Sequence, residues 1–145
     1  MEPVTLCTGG SINFLVIGLL QRDGKVVAQK SNDVSGKTLH KFINANVELG
    51  AVLHTDEWRG YNGLSKKFNH SVVSHGKGQY VNGNTHTNTL EGFWSLFKRG
   101  IVGQYHQISV KHMNRYIDEF CFRYNNRNVD SDIVFASVIT KAVNL

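Results

Sequence analysis

"SINFLVIGLLQRDGKVVAQK", residues 11–30, decides the fold class of this chain. Its first part, "INFLVIGLL" (12–20), is apolar almost throughout and rich in β-branched residues, the pattern of a strand covered on both faces. "RDG" (22–24) then supplies a turn into a shorter strand, "KVVAQK" (25–30), so the two runs form a hairpin.

After the hairpin, "VSGKTLHKFINANVELG" places Leu39, Phe42, Ile43 and Val47 at helical spacing and ends on Gly50. A helix there leads into the strand "AVLH" (51–54), whose apolar residues give way to Thr55 and Asp56. The polar segment "RGYNGLSKKFN" separates it from another short strand, "HSVVSH" (70–75). From 76 to 87, "GKGQYVNGNTHT" is glycine-rich and polar and is expected to be a mobile loop.

Everything beyond that loop reads as helix. From about 88 to 99, Leu90, Phe93, Trp94 and Phe97 project to one side, with Asn88, Glu91, Ser95 and Lys98 on the other. From 109 to about 125, Val110, Met113, Ile117, Phe120, Cys121 and Tyr124 form a second apolar stripe, while Lys111, His112, Arg115 and Arg123 point away from it. A shorter helix over about 131–142 closes the chain. The expected architecture is a single mixed α/β domain over residues 1–145, with a helical C-terminal part and a pairing order that pattern alone leaves open.

Bulk properties narrow the function classes. The 145 residues are 41% hydrophobic with one proline, a globular rather than disordered composition. "SINFLVIGLL" is too short for a membrane span and lacks the flanks of a signal peptide, so a cytoplasmic protein without a membrane partner is expected. Cys7 and Cys121 form no C-x-x-C pair and read as free thiols in a reducing compartment. The seven histidines show no zinc-motif spacing. A formal charge of +5 favours an anionic partner without specifying one.

Two carboxylates stand out. Asp56 follows a strand, where ligands gather in open α/β sheets, although an Asp there also serves as a turn former or helix cap. Glu91 lies on the polar face of the 88–99 helix, and its spacing from Asn88 is equally that of a capping box. Trp58, Tyr61, Trp94 and Phe97 read by default as core or rim aromatics, with Trp58 and Tyr61 near enough to Asp56 to wall a site.

The stretches "HTDEWRGY" (54–61), "HTNTLEGFWSLFKRGIVGQYHQIS" (86–109) and "KHMNRYIDEFCFRYNNR" (111–127) closely resemble the catalytic domain of bacterial insertion-sequence transposases of the DDE type, within the ribonuclease H-like integrase superfamily. The resemblance runs from about residue 12 to 128, and the second stretch is its most specific part. It implies a ribonuclease H-like mixed sheet flanked by helices, and DNA cleavage and strand transfer using two Mg²⁺ or Mn²⁺ ions held by three acidic positions. Hard divalent ions take oxygen ligands and can activate the attacking hydroxyl while stabilising the leaving oxygen.

Carried over by position, Asp56 matches the second acidic residue and Glu91 the third, with 34 residues between them. Asn88, one turn earlier, is an alternative or additional ligand. Lys98 matches the basic residue that contacts DNA near the site. Between residues 98 and 127 there are six Lys or Arg against two acidic residues, and Lys98, Arg99, Lys111, His112, Arg115 and Arg123 are the candidate DNA contacts.

One departure matters. The family's first Asp should lie on the opening strand, yet "MEPVTLCTGG" contains no Asp and does not read as that strand. Asp23, in the hairpin turn, and Asp33, in a polar connector, are poor substitutes. The first strand and first catalytic Asp are therefore expected to be missing, as in an N-terminally truncated transposase, leaving a domain inactive in strand transfer. A non-catalytic DNA-binding or regulatory remnant and a simple nuclease are the alternatives. Transposon ends and target DNA are the implied partners, with self-association into a homo-oligomer left open.

Overall fold

The computed structural model describes residues 4–9, 15–22, 24–72, 86–105 and 108–143, with the backbone alone described for 4–9, 86–89 and 91. Five strands, β1 (Val4–Gly9), β2 (Leu15–Gln21), β3 (Val26–Ser31), β4 (Val52–Thr55) and β5 (Asn69–Val72), form one sheet in the order β3-β2-β1-β4-β5. The first three make an antiparallel meander, while β4 is parallel to β1 and β5 parallel to β4. Four helices accompany them: α1 (Gly36–Asn46), α2 (His86–Gly100), α3 (Met113–Asn125) and α4 (Ser131–Val143).

The expectation of a missing first strand is corrected here. Val4–Gly9 is a strand and lies in the middle of the sheet, paired with β2 along its whole length and with β4 through Val4–Leu53 and Thr5–His54. "VTLCTG" has no long apolar run to advertise a strand. Its β-branched residues Val4, Thr5 and Thr8 suit extended backbone, and pairing on both edges fixes the rest. The strand is present; the carboxylate expected on it is not, since residues 4–9 contain neither Asp nor Glu.

The hairpin of β2 and β3 matches the sequence reading, and β2 is buried on both faces. Val16 and Leu20 join Val26 and Ala28 beneath α2 and α3, packed with Leu90, Phe93, Trp94, Phe97, Met113, Ile117 and Phe120. Ile17 and Leu19 face the other way with Leu53, against Leu39, Phe42 and Ile43 of α1 and Tyr61, Leu64 and Phe68. Burying each such large side chain contributes about 1.5–3 kcal/mol, so the two layers together hold both helix groups on the sheet. Gly18 admits this packing: a Cβ there would lie 2.8 Å from Cζ2 of Trp94.

α1 starts at Ser35, whose hydroxyl accepts from the Thr38 N–H, and the chain turns after it at Gly50, whose φ of +80° suits glycine. α2 begins two residues before the expected start and runs through Gly100 into a π-helical turn, Ile101–Tyr105. The expected loop therefore ends at 85, and its residues 76–85 lie outside the described ones, as do 73–75 of the expected strand.

The free edge of β3 is covered by side chains of α3. Asn125 accepts from the Val26 N–H at 2.7 Å and donates to the Val26 carbonyl at 2.9 Å, and Asn114 accepts from the Lys30 N–H at 3.0 Å. Between them the Ala28 backbone hydrogen-bonds Cys121, whose thiol is pushed up to about 11, chiefly by burial. Residues 114, 121 and 125 lie along one helix face, so one stripe of α3 meets alternate residues of the strand.

Candidate functional site

β4 carries the chain from the core to Asp56. Leu53 is fully buried, Thr55 is 2% exposed, and Asp56 follows as the first residue beyond the strand. The Thr55 hydroxyl donates to the Asp56 carbonyl at 3.0 Å and lies 2.8 Å from Nε2 of His70 on β5. A hydroxyl has one proton to give, so His70 donates its Nε2–H to Thr55. Burial lowers the His70 pKa, and the charge of nearby His40 acts in the same direction. The neutral imidazole thus ties β5 to the strand end that presents Asp56.

The turn after Asp56 is equally constrained. One carboxylate oxygen, Oδ1, accepts from the Trp58 backbone N–H at 3.1 Å, and among the described residues no other partner reaches this carboxylate. Residues 59–61 form a short 3-10 turn that buries Tyr61 to 1% exposure beneath α1. The Trp58 indole N–H donates to the Val34 carbonyl at 3.3 Å, just before α1. Gly60 is needed in that turn, because an added Cβ would meet the indole at 2.7 Å and Leu39 at 3.0 Å. Asp56 is therefore both a turn former and the tip of a strand; the structure gives it the two roles at once.

Of the other candidates, Asn88 and Glu91 lie in the first turns of α2, where the backbone alone is described. With the helix starting at His86, Asn88 is its third residue rather than the position before it. The apolar face is as expected: Leu90, Phe93, Trp94 and Phe97 are buried. Lys98 is partly exposed and Arg99 exposed.

On α3 and the turn before it, Lys111 and Arg115 are exposed and His112 is half-buried. Arg123 is exposed but already engaged, its guanidinium 2.6 Å from Glu119, which also accepts from the Tyr105 hydroxyl at 2.8 Å.

The parallel register adds one relationship that sequence reasoning missed. β1 pairs with β4 through Val4–Leu53 and Thr5–His54, and two residues further along each segment stand positions 7 and 56. The residue at that step of the opening strand is a Cys, not an Asp. Among the described residues no three His, Cys, Asp or Glu side chains are grouped closely enough to hold a metal ion. No described helix is long and apolar enough to cross a membrane.

Comparison with known proteins agrees with this geometry. The catalytic core domain of BIV integrase superposes with a TM-score of 0.63 at 13% identity, covering 97% of this chain and 98% of that one, which shows the ribonuclease H-like fold. An uncharacterized transposase-like protein of Haemophilus influenzae is 26% identical over 110 residues, 75% of this chain and 88% of its own length. An uncharacterized protein in transposable element ISH50 of Halobacterium salinarum is 34% identical over 73 residues, 49% of this chain and 24% of its own length. The model of the ISXO2-like transposase domain matches residues 9–125, and the chain belongs to that transposase family.

Proposed function

We propose that this chain is a DDE-type transposase domain built for DNA cleavage and strand transfer in moving an insertion sequence, and that as it stands it binds DNA without completing that chemistry. One observation carries the second half: the strand paired with β4, which leads to Asp56, has no carboxylate in residues 4–9. The two Mg²⁺ or Mn²⁺ ions implied by the resemblance would be shared by three anionic ligands, and positions 56 and 91 supply two, with Asn88 as a neutral third. The donor set does not fit a two-metal site. Removing the ligand common to both ions is expected to abolish the reaction rather than slow it.

DNA binding rests on different residues. Lys98, Arg99, Lys111 and Arg115 are solvent-accessible cations on α2, α3 and the turn between them, the arrangement that gives salt-sensitive affinity for phosphates. This favours a DNA-binding or regulatory role over loss of all function. The test is metal-dependent nicking of supercoiled plasmid by the purified chain: no cutting above background is expected. Robust cutting that disappears in Asp56→Ala would overturn the assignment of inactivity.

A further inference from the structure

Trp58 is the one large aromatic side chain near Asp56 that the described structure leaves in solvent. It is 53% exposed, while Tyr61, three residues on, is 1% exposed and fills the core beneath α1. A tryptophan whose task was to seal that core would be buried as Tyr61 is.

The residue is nevertheless held at its backbone and at its ring. Its backbone N–H is bound by Oδ1 of Asp56 at 3.1 Å, and its indole N–H by the Val34 carbonyl at 3.3 Å. Its edge also lies so close over Gly60 that a Cβ there would be 2.7 Å from Nε1. An exposed side chain restrained at both ends has already lost the rotamer freedom that binding would otherwise remove. The restraint also ties the indole to the Asp56 carboxylate through a single turn.

What such a surface recognises follows from its chemistry. Arg59 adjoins Trp58 and Lys37 follows Val34 at the start of α1, both exposed, but Glu57 and Asp33 beside the same two residues are exposed too, so these segments offer little net attraction for phosphate. A flat π face without a cationic surround suits a nucleobase rather than a backbone. Bases present their faces only where they are unpaired, and aromatic stacking of this type is tolerant of sequence.

We infer that Trp58 is a stacking platform for an unpaired base at a DNA end, placing single-stranded rather than duplex DNA against the Asp56 turn. The inference rests on the DNA-acting reading above and adds the form of DNA that this part of the surface takes.

Two tryptophans are present and Trp94 is 6% exposed, so a change in intrinsic emission on DNA binding reports Trp58. The probes are a blunt duplex, the same duplex with an unpaired 3′ extension, and that extension made abasic, each followed by anisotropy and by tryptophan emission at low salt. The extended duplex should bind about tenfold more tightly than the blunt one and quench the emission, and the abasic extension should do neither. Trp58→Leu, which keeps apolar cover over Gly60, should remove the preference with blunt-duplex binding unchanged, while Trp58→Phe should keep part of it. Equal binding of blunt and extended DNA, or a preference that survives in Trp58→Leu, overturns the platform and leaves the DNA-acting reading standing. Failure to bind any of the three overturns both.

Discussion

The Asn125 side chain pairs with the backbone of Val26 through both halves of its amide, at 2.7 and 2.9 Å, and so closes the open edge of the sheet with a helix. Val26 is 1% exposed, and water cannot readily replace either bond. Asn125→Ala strands a buried N–H and a buried carbonyl, at a cost of about 1–3 kcal/mol. The expected result is a lower urea midpoint with an unchanged slope; Asn125→Asp, which keeps the acceptor for the Val26 N–H, should lose less.

That edge also shows where sequence reading stopped. β2 was legible as an unbroken apolar run, and the apolar faces of α1 and α2 because burial imposes a period on their residues, with Leu39, Phe42, Phe93 and Phe97 where that period puts them. Asn114 and Asn125 carried no such signal: an Asn on a helix reads as solvent-facing, and only the fold shows that it meets a strand. β1 was missed for the same reason, since "VTLCTG" is made a strand by pairing with residues 7 to 49 positions away. At the site, the switch from the buried β4 to polar residues placed Asp56 at the strand end, where the structure has it, whereas the Thr55–His70 tie and the exposure of Trp58 depend on contacts that no spacing encodes.

Cys121 makes the same edge sensitive to alkali. Its folded thiol value is raised from the ordinary 9.0 to about 11, mainly by burial. A raised value means that the folded state holds its proton more tightly, so the associated stability is complete below pH 9 and disappears as pH rises toward 11. Denaturation midpoints should fall across that window, and Cys121→Val should flatten the fall. Alkylation of the peptide containing Cys121, followed by mass spectrometry, should be slow in the native protein at pH 8 and fast in urea.

His70 predicts the opposite dependence. Burial, with His40 adding to it, lowers its pKa from the ordinary 6.5, so folding opposes its protonation. The contribution is present above pH 6.5 and is lost as pH falls below that value through the folded pKa. The Nε2–H bond to Thr55 can survive protonation, which makes desolvation and His40 the source of the loss. His70→Gln should reduce the slope of stability against pH between 7 and 5; an unchanged slope would assign that dependence to other groups.

The two arginines of α3 should contribute unequally to DNA binding. Arg115 is exposed, whereas Arg123 is already offset by Glu119 at 2.6 Å. Each phosphate contact adds roughly 0.9 to the slope of log affinity against log salt. Arg115→Ala should therefore lower that slope by about one, and Arg123→Ala should change it less. Equal effects of the two substitutions, measured by anisotropy across a salt series, would show that the Glu119 pair opens on binding.

Position 7 offers a direct test of why the chain should be inactive. It lies two residues beyond the Thr5–His54 pair on β1, as Asp56 does after β4, and its residue is a Cys. A neutral thiol is a poor ligand for Mg²⁺, which takes hard oxygen donors. Cys7→Asp restores an acidic residue to the opening strand in a chain that already carries Asp56 and Glu91. The variant should gain Mg²⁺-dependent nicking of supercoiled plasmid that the parent lacks, and Asp56→Ala or Glu91→Gln in the same background should remove it. A folded Cys7→Asp chain that remains inert would mean that the deficit lies in more than one ligand.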